Sequence, residues 1–192
     1  MNERYRFLMS GSGGQGVITM AILLAEAATL YEGLNAVQSQ SYGPEARGGA
    51  TRSDVIISEG PIYYPKVEQP NYLVALTNES MTKYLPLSRP GGLYLYDSDL
   101  VQPDLRVDAI RRGLPMYQAV MDTLGKAVAF NICVLGAMAA ITDVVSIKSL
   151  ENVLEKRFAP AHHANNKKAL HLGVELATPL KESFECNRAY LP

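Results

Sequence analysis

Residues 4–31 read RYRFLMSGSGGQGVITMAILLAEAATLY, and this stretch decides the fold. Its apolar run Arg6–Ser10 predicts a short strand, which leads into the glycine-rich segment Gly11–Gly16. Apolar residues then recur at helical spacing, so a helix is predicted over residues 15–31 with one face packed on a sheet. A strand, a glycine turn and a helix in this order are typical of an α/β fold with a parallel sheet.

The rest of the chain continues this alternation of strands and helices. The predicted strands are Asn35–Gln40, Tyr72–Leu76, Leu93–Tyr96 and Pro115–Val120, and a hairpin is predicted from Ser53–Ser58 and Ile62–Tyr64. The predicted helices are Glu79–Leu85, Thr123–Ile141, Ser146–Phe158 and His162–Ala177. We therefore predict the α/β class: a Rossmann-like, doubly wound and mostly parallel sheet with helices on both faces and a C-terminal helical segment. Residues 1–192 are predicted to form one domain that is loose after about Pro179.

The composition argues against several classes of protein. The 192 residues carry 18 Lys and Arg against 19 Asp and Glu, a net charge of -1, whereas nucleic-acid-binding domains are usually basic. Two cysteines, Cys133 and Cys186, are too few for a disulfide scaffold or for the thiolates of an iron–sulfur cluster. The longest apolar stretch, residues 127–141, is too short for a membrane span, and the N-terminus lacks a signal-peptide pattern. We expect a cytoplasmic protein without nucleic-acid or membrane partners.

The glycine segment has the pattern of an anion-binding turn. Gly11-Ser12-Gly13-Gly14-Gln15-Gly16 matches G-x-G-x-x-G, in which bare backbone lets a ligand approach the N–H groups at a helix start. A dinucleotide is disfavoured, because no acidic residue that would bind its ribose lies between Glu32 and Glu45. Two interpretations stay open: a turn that only packs a helix on a strand, or a binding surface for a phosphate or a partner backbone.

A second unusual segment, SYGPEARGGA at Ser41–Ala50, follows the second predicted strand. Its glycines and Pro44 favour turns, while Tyr42, Glu45 and Arg47 supply a phenol, a carboxylate and a guanidinium group. Because ligands of open α/β sheets bind at the carboxyl ends of the strands, both segments are predicted to lie on one rim. The alternative is that Glu45 and Arg47 form a solvated ion pair on a surface loop.

Together the motifs resemble a known family. GSGGQG after the first strand, SYGPEARGG some thirty residues later, and FNICVLGA around Asn131 are similar to the gamma subunit, or gamma domain, of the 2-oxoacid:ferredoxin oxidoreductases. The resemblance runs from Tyr5 to about Ile141 and includes Tyr64–Val67 and Leu95–Ser98. The second segment looks most like the version in the 2-oxoglutarate-type enzymes.

The resemblance implies a subunit of an enzyme that converts a 2-oxoacid and coenzyme A to an acyl-CoA and carbon dioxide while reducing ferredoxin. It implies that thiamine diphosphate, Mg²⁺ and iron–sulfur clusters sit on companion subunits, named alpha and beta, with a delta subunit as a further option. This chain would then carry no catalytic residue and no metal. The residues implied to lie near the thiamine and coenzyme A site are Gly11, Ser12, Gly13, Gly14, Gln15, Gly16, Tyr42, Gly43, Glu45, Arg47, Gly48 and Gly49.

Three alternatives to the 2-oxoglutarate assignment stay open. The chain could serve a pyruvate, branched-chain 2-oxoacid or indolepyruvate enzyme, because the residues of this chain do not distinguish the acid. It could be a stand-alone nucleotide-binding module, or an assembly scaffold whose loops contact only partner backbone.

Other polar residues have structural interpretations. Asp97 and Asp99 are predicted to form a turn, and Thr77 and Asn78 to begin a helix. Asn131 lies in an apolar helix and, if buried, needs a partner, so it is expected to order a loop. Cys133 is predicted to be a core side chain, and His162, His163 and His171 to be surface or interface residues.

Overall fold

The computed structural model describes residues 4–40 and 50–185, with side chains as far as residue 180. The strands in this part are β1 (Arg4–Gly11), β2 (Asn35–Gln40), β3 (Thr51–Ser58), β4 (Tyr72–Ala75), β5 (Gly92–Asp97) and β6 (Ala109–Leu114). The α-helices are α1 (Val17–Tyr31), α2 (Asn78–Tyr84), α3 (Met116–Leu124), α4 (Phe130–Thr142), α5 (Ile147–Arg157) and α6 (Pro160–Glu185). None of the helices described combines the length and apolar character that a membrane span requires.

The six strands form one mixed sheet with the order β2-β3-β1-β4-β5-β6. β1, β4, β5 and β6 run parallel, whereas β3 lies antiparallel to both β1 and β2. Gly11 pairs with Thr51, and Gln40 pairs with Ser53. The carboxyl ends of β1, β2, β4 and β5 therefore meet the start of β3 at one edge of the sheet, which we call the site edge.

Both faces of the sheet are buried, which explains the continuous apolar runs in the sequence. Phe7 and Met9 of β1 pack on the face covered by α1 and by α3 to α6. Leu8, between them, packs on the opposite face, against Met81 and Tyr84 of α2. The predicted class, an α/β sheet with helices on both faces and a helical C-terminal segment, is confirmed.

The predicted hairpin of Ser53–Ser58 with Ile62–Tyr64 is wrong. β3 pairs instead with β1 and β2, and residues 59–71 form no strand. Prolines at positions 61, 65 and 70 have no N–H group to donate to a neighbouring strand, which disfavours pairing here. Among the described strands, β2 and β3 are antiparallel neighbours that follow one another in the chain, and the SYGPEARGGA segment connects them.

The predicted strand Pro115–Val120 and the single helix Thr123–Ile141 are also wrong. Residues 116–124 form α3, which ends at Gly125 with a φ of 69°, and a 3-10 turn at Ala127–Ala129 leads into α4. The strand in this region is β6, where Arg111 and Arg112 interrupt the apolar pattern. The Arg111 guanidinium donates to the carbonyl oxygens of Asp104 and Val107, so an edge strand can carry this charge.

α4 is buried along its whole length and packs closely against α6. A Cβ atom at Gly136 would overlap the carbonyl oxygen of Leu170, and one at Gly173 would overlap the carbonyl oxygen of Cys133. Two glycines, one on each helix, therefore allow the backbones to touch. α6 continues through Pro179 to Glu185, and residues 186–192 lie outside the described part.

We predict that Gly173→Ala lowers the free energy of unfolding by about 3 kcal/mol, because the added methyl group meets backbone that cannot yield without moving α4. Urea denaturation of the full chain, followed by circular dichroism, measures this. The control is Ala164→Gly at an exposed position of α6, which should cost about 1 kcal/mol through helix propensity alone. Equal losses for the two variants would contradict the close helix contact.

Candidate functional site

Residues Gly11–Gly16 form the turn between β1 and α1, which we call the glycine turn. Two of its glycines are required by packing inside the chain. A Cβ atom at Gly11 would lie 2.5 Å from Gln15 Oε1 and 3.2 Å from Leu76 Cβ. Gly16, the residue before α1, has a φ of 71°, and its Cβ would lie 2.6 Å from Asn131 Nδ2. Gly11 and Gly16 therefore fix how β1 turns into α1, as the packing interpretation requires.

The Gln15 side chain stabilises the glycine turn through two hydrogen bonds. Its Oε1 accepts a hydrogen bond from the Ser12 N–H at 2.7 Å, and its Nε2 donates to the carbonyl oxygen of Leu76 at 3.3 Å. Leu76 directly follows β4, so this amide links the glycine turn to the neighbouring strand. The donor and acceptor that the sequence offers to a ligand are thus engaged within the chain.

Gly13 and Gly14 differ from these two, since a Cβ atom at either position would meet no atom within 4 Å among the residues described. Gly14 has a φ of 88°, which by itself favours glycine. Gly13 has no positive φ, so neither conformation nor packing within the described residues requires a glycine there. Bare backbone at Gly13 instead leaves room for a group from outside the chain.

The second segment falls outside the described residues, so Tyr42, Gly43, Glu45, Arg47, Gly48 and Gly49 stay predictions. Its described flanks lie at the site edge, where Thr51 pairs with Gly11. Ala50 is held there by Tyr84, whose hydroxyl donates to the Ala50 carbonyl oxygen at 3.3 Å. The chain therefore leaves the segment next to the glycine turn, at Thr51. It enters the segment after Gln40, which pairs with Ser53 and lies one strand further from β1.

A cleft of about 370 Å³ lies between the glycine turn and the helices α3, α4 and α6. We call it the main cleft. Its lining residues are Gly14, Gln15, Gly16, Thr19, Tyr117, Ala127, Val128, Phe130, Asn131, Ile132, Phe158, His162 and Asn166. Tyr117 and Phe130 form an edge-to-face pair with centroids 5.5 Å apart, and Val128 is 76% exposed.

The main cleft has a neutral, amide-rich lining. None of the described residues that line it is Asp, Glu, Lys or Arg. Asn131 donates from Nδ2 to the Gly16 carbonyl oxygen at 3.4 Å, which gives this buried amide a partner in the glycine turn, in line with the prediction. Asn166 is buried, and its Nδ2 has no hydrogen-bond partner within the described part of the chain. Such a lining suits an uncharged group better than a phosphate.

A second, shallower depression of about 290 Å³ lies over the first turn of α1. We call it the side depression. It is lined by Ser12, Gly13, Gly14, Gly16, Val17, Ile18, Thr19 and Thr51. The first N–H groups of α1 have no partner inside the helix, and three residues with hydroxyl groups, Ser12, Thr19 and Thr51, line the same depression. Helix N-termini of this kind attract anions.

The remaining polar candidates have structural roles. Asp97 accepts hydrogen bonds from the backbone N–H groups of Asp99, Leu100 and Tyr117, and burial raises the pKa of its carboxyl group. Thr77 and Ser80 form a capping box at α2, as predicted. Burial raises the pKa of the Cys133 thiol to about 12, in keeping with a core side chain. Among the residues described, no three His, Cys, Asp or Glu side chains could share a metal ion.

The main cleft was missed by sequence reasoning, apart from the glycine turn and Asn131. Only the tertiary structure brings together Tyr117 of α3, Phe158 just after α5 and Asn166 of α6. His162, predicted to be a surface or interface residue, also lines this cleft. The neighbouring histidines bind elsewhere: His163 bonds the Phe158 carbonyl oxygen and His171 bonds Glu151, each at 2.7 Å.

We predict that Gly16→Ala destabilises the chain through two separable causes. The left-handed backbone costs about 1–2 kcal/mol for a residue with a Cβ atom, and the contact with Asn131 adds about 1–3 kcal/mol. Adding Asn131→Ala removes the contacts with Nδ2 and Cγ at 2.6 and 2.7 Å, but it leaves the weaker contact with Cβ at 3.0 Å and the backbone strain. In a double-mutant cycle of urea unfolding, Gly16→Ala should therefore cost less in the Asn131→Ala background. Equal costs in both backgrounds would show that the two residues do not touch.

Known proteins share both the sequence and this geometry. The family model described as pyruvate ferredoxin/flavodoxin oxidoreductase matches residues 6–176. The chain is 38% identical over 179 residues to the 2-oxoglutarate synthase subunit KorC of Methanocaldococcus jannaschii, covering 92% of this chain and 96% of that protein. It is 29% identical over 171 residues to the pyruvate synthase subunit PorC of Methanothermobacter thermautotrophicus, covering 86% of this chain and 91% of that protein.

A solved structure is similar to this chain in both sequence and fold. The gamma subunit of keto/oxoacid ferredoxin oxidoreductase from Geobacter sulfurreducens superposes with a TM-score of 0.83 and 41% sequence identity. The match covers 91% of this chain and 99% of that one. The residues of the glycine turn and those that line the main cleft all lie within residues 6–176. By sequence and by fold, the chain belongs to the pyruvate ferredoxin/flavodoxin oxidoreductase family, as a gamma-type subunit of the 2-oxoacid:ferredoxin oxidoreductases.

Proposed function

We propose that this chain is the gamma subunit of a 2-oxoglutarate:ferredoxin oxidoreductase. That enzyme decarboxylates 2-oxoglutarate with coenzyme A to succinyl-CoA and reduces ferredoxin. The observation that carries the substrate assignment is the 38% identity to a 2-oxoglutarate synthase subunit over nearly both full chains, against 29% for a pyruvate synthase subunit. The second candidate is the same role in a pyruvate or branched-chain enzyme.

In this proposal the glycine turn and the segment that holds Tyr42 and Arg47 form one wall of an active site, which we call the wall. The reactive groups of that active site belong to other subunits. Gly13 and Gly14 present bare backbone at the site edge, where the carboxyl ends of four strands meet. Among the residues described, neither packing nor a positive φ requires a glycine at position 13, which favours close approach of a ligand or of a companion subunit there. The chain would then position reactants and exclude water without making or breaking bonds.

Coenzyme A is the ligand that we assign to this wall. The N–H groups of the first turn of α1 and the hydroxyl groups of the side depression can donate hydrogen bonds to one of its phosphates. Arg47, whose segment joins the site edge at Thr51, would supply a positive charge that the lining of the depression lacks. Tyr42, Gly43, Glu45, Gly48 and Gly49 would complete the wall.

The redox and thiamine chemistry is assigned to companion subunits. Thiamine diphosphate with Mg²⁺ would supply the group that attacks the 2-oxoacid, and iron–sulfur clusters would accept the electrons. This chain offers only two cysteines, one of them Cys133, buried within α4. A thiolate cage for a cluster cannot be built from these, which supports the assignment.

The partners are then the alpha and beta subunits, with a delta subunit as an option, and ferredoxin acts through the assembled complex. We place the complex in the cytoplasm and treat residues 1–192 as one domain. A stand-alone nucleotide-binding module is the less favoured reading, because β2, where a ribose-binding carboxylate would be expected, carries no Asp or Glu. If the chain were only an assembly scaffold, substitutions in this wall would leave the KM for coenzyme A unchanged.

We predict that the chain, purified from its native cells, brings companion subunits that carry thiamine diphosphate and clusters. With coenzyme A and a viologen acceptor, the complex should reduce the dye at least tenfold faster with 2-oxoglutarate than with pyruvate or 3-methyl-2-oxobutanoate, compared as kcat/KM. A complex that prefers pyruvate would overturn the substrate assignment but leave the subunit role intact. A chain that purifies alone with bound NAD(H) would overturn both.

We predict that Arg47→Ala and Gly13→Ala raise the KM for coenzyme A about tenfold while the KM for 2-oxoglutarate stays within twofold. Loss of one charge–phosphate contact, or crowding of the wall by one methyl group, has roughly this magnitude. Because Gly13 has open space and no positive φ, its alanine variant should unfold at the wild-type temperature, unlike Gly16→Ala.

Footprinting of the site edge in the assembled complex, with and without coenzyme A, provides the control for this experiment. Protection of residues 11–16 by coenzyme A supports a binding wall. Unchanged kinetics for both variants, together with protection that companion subunits alone confer, would instead identify a scaffold.

A further inference from the structure

The connection from β3 to β4 carries a surface that the proposed wall does not use. Residues 59–71 connect β3 to β4 without a helix or strand, and loops of this length in compact domains are uncommon and often functional. They place Tyr63 and Tyr64 at the surface with 85% and 56% of their areas exposed. These are the most exposed aromatic side chains among the residues described.

The segment is fixed in place although it has no regular structure. The Arg4 guanidinium donates to the Pro61 carbonyl oxygen at 3.2 Å, and the Ser39 hydroxyl donates to the Pro65 carbonyl oxygen at 3.2 Å. Arg52, paired with Asp54 at 2.7 Å, donates to the carbonyl oxygen of Val67, whose side chain is buried. The two tyrosines are therefore presented by backbone anchored on both sides.

Beside them lies an open depression of about 570 Å³ with an excess of positive charge. Arg6, Lys66 and Arg89 line it, against the single carboxylate of Glu68, which accepts a hydrogen bond from the Tyr64 hydroxyl at 3.2 Å. Neither the Arg6 guanidinium nor the Lys66 ammonium forms an ion pair within the described part of the chain. On a chain whose net charge is -1, this is a local concentration of cations.

We propose that Tyr63, Tyr64, Arg6, Lys66 and Arg89 form a docking surface for an acidic face of a companion subunit. Charge complementarity selects the acidic partner, since the exposed Lys66 and the half-buried Arg6 and Arg89 attract carboxylates that a second polypeptide brings. Tyr and Arg are among the residue types that contribute most binding energy at protein interfaces. The surface is wide and shallow, which suits a polypeptide better than a small anion.

Its position lets a companion bind without blocking the wall. Arg6 lies near the start of β1, and Arg89 lies just before β5 and donates its backbone N–H to the Pro70 carbonyl oxygen, directly before β4. The glycine turn lies at the opposite ends of these strands. The proposal rests on this chain being a subunit of a larger enzyme, but not on which 2-oxoacid the enzyme uses.

The test reconstitutes the complex from separately purified chain and companion subunits and measures the dissociation constant by light scattering or native mass spectrometry. Lys66→Glu and Tyr63→Ala should each raise it at least tenfold. Matched controls, Lys156→Glu on α5 and Tyr31→Ala at the end of α1, change the same residue types at exposed sites elsewhere and should stay within twofold. Raising salt from about 0.05 to 0.5 M should weaken the wild type more than Lys66→Glu.

Three results would overturn the proposal. The first is unchanged assembly for both surface variants, and the second is equal weakening of assembly by the control variants. The third is submillimolar binding of inorganic phosphate that Lys66→Glu abolishes without any effect on assembly, which would identify a small-anion site. A failure of the substrate assay above leaves this measurement unaffected, because assembly is read without turnover.

Discussion

The contact between α4 and α6 is the constraint on which the site depends. Gly136 and Gly173 let the two backbones meet, and this fixes the position of α4, a helix buried on every side. From that position Asn131 reaches the Gly16 carbonyl oxygen and lines the main cleft beside Asn166 of α6. A shift of α4 by the width of one methyl group would therefore move the glycine turn, the cleft lining and the start of α1 together.

The glycine turn combines residues that internal packing explains with one that it does not. Gly11 and Gly16 are explained by internal contacts, and Gln15 links the turn to the end of β4. A Cβ atom at Gly13 would meet no such contact among the residues described, and this is where we propose that an outside group approaches. Under that proposal the turn serves packing and binding at once, in a subunit that positions reactants for chemistry carried out on another polypeptide.

Two surfaces of the chain have different chemistry. Among the residues described, the depressions at the glycine turn are lined by amide, hydroxyl, apolar and bare backbone groups, whereas the proposed docking surface carries exposed tyrosines and cations. Under the two proposals, the chain contacts reactants at the first surface and a companion polypeptide at the second. The strand directions contribute to this separation, because parallel strands gather their carboxyl-end loops at one edge of the sheet and leave Arg6 and Arg89 near the amino ends.

The sequence by itself determined the fold class, the glycine turn, the capping of α2 and the family, because these depend on local spacing and on contiguous motifs. It also identified Asn131 as an amide in need of a partner. Only the tertiary structure decided that β3 is antiparallel, that residues 116–124 are helical and that Tyr117, Phe158 and Asn166 share one cleft. The physical reason is that strand direction and cleft lining depend on contacts between residues far apart in the chain, whereas periodicity reports only on neighbours.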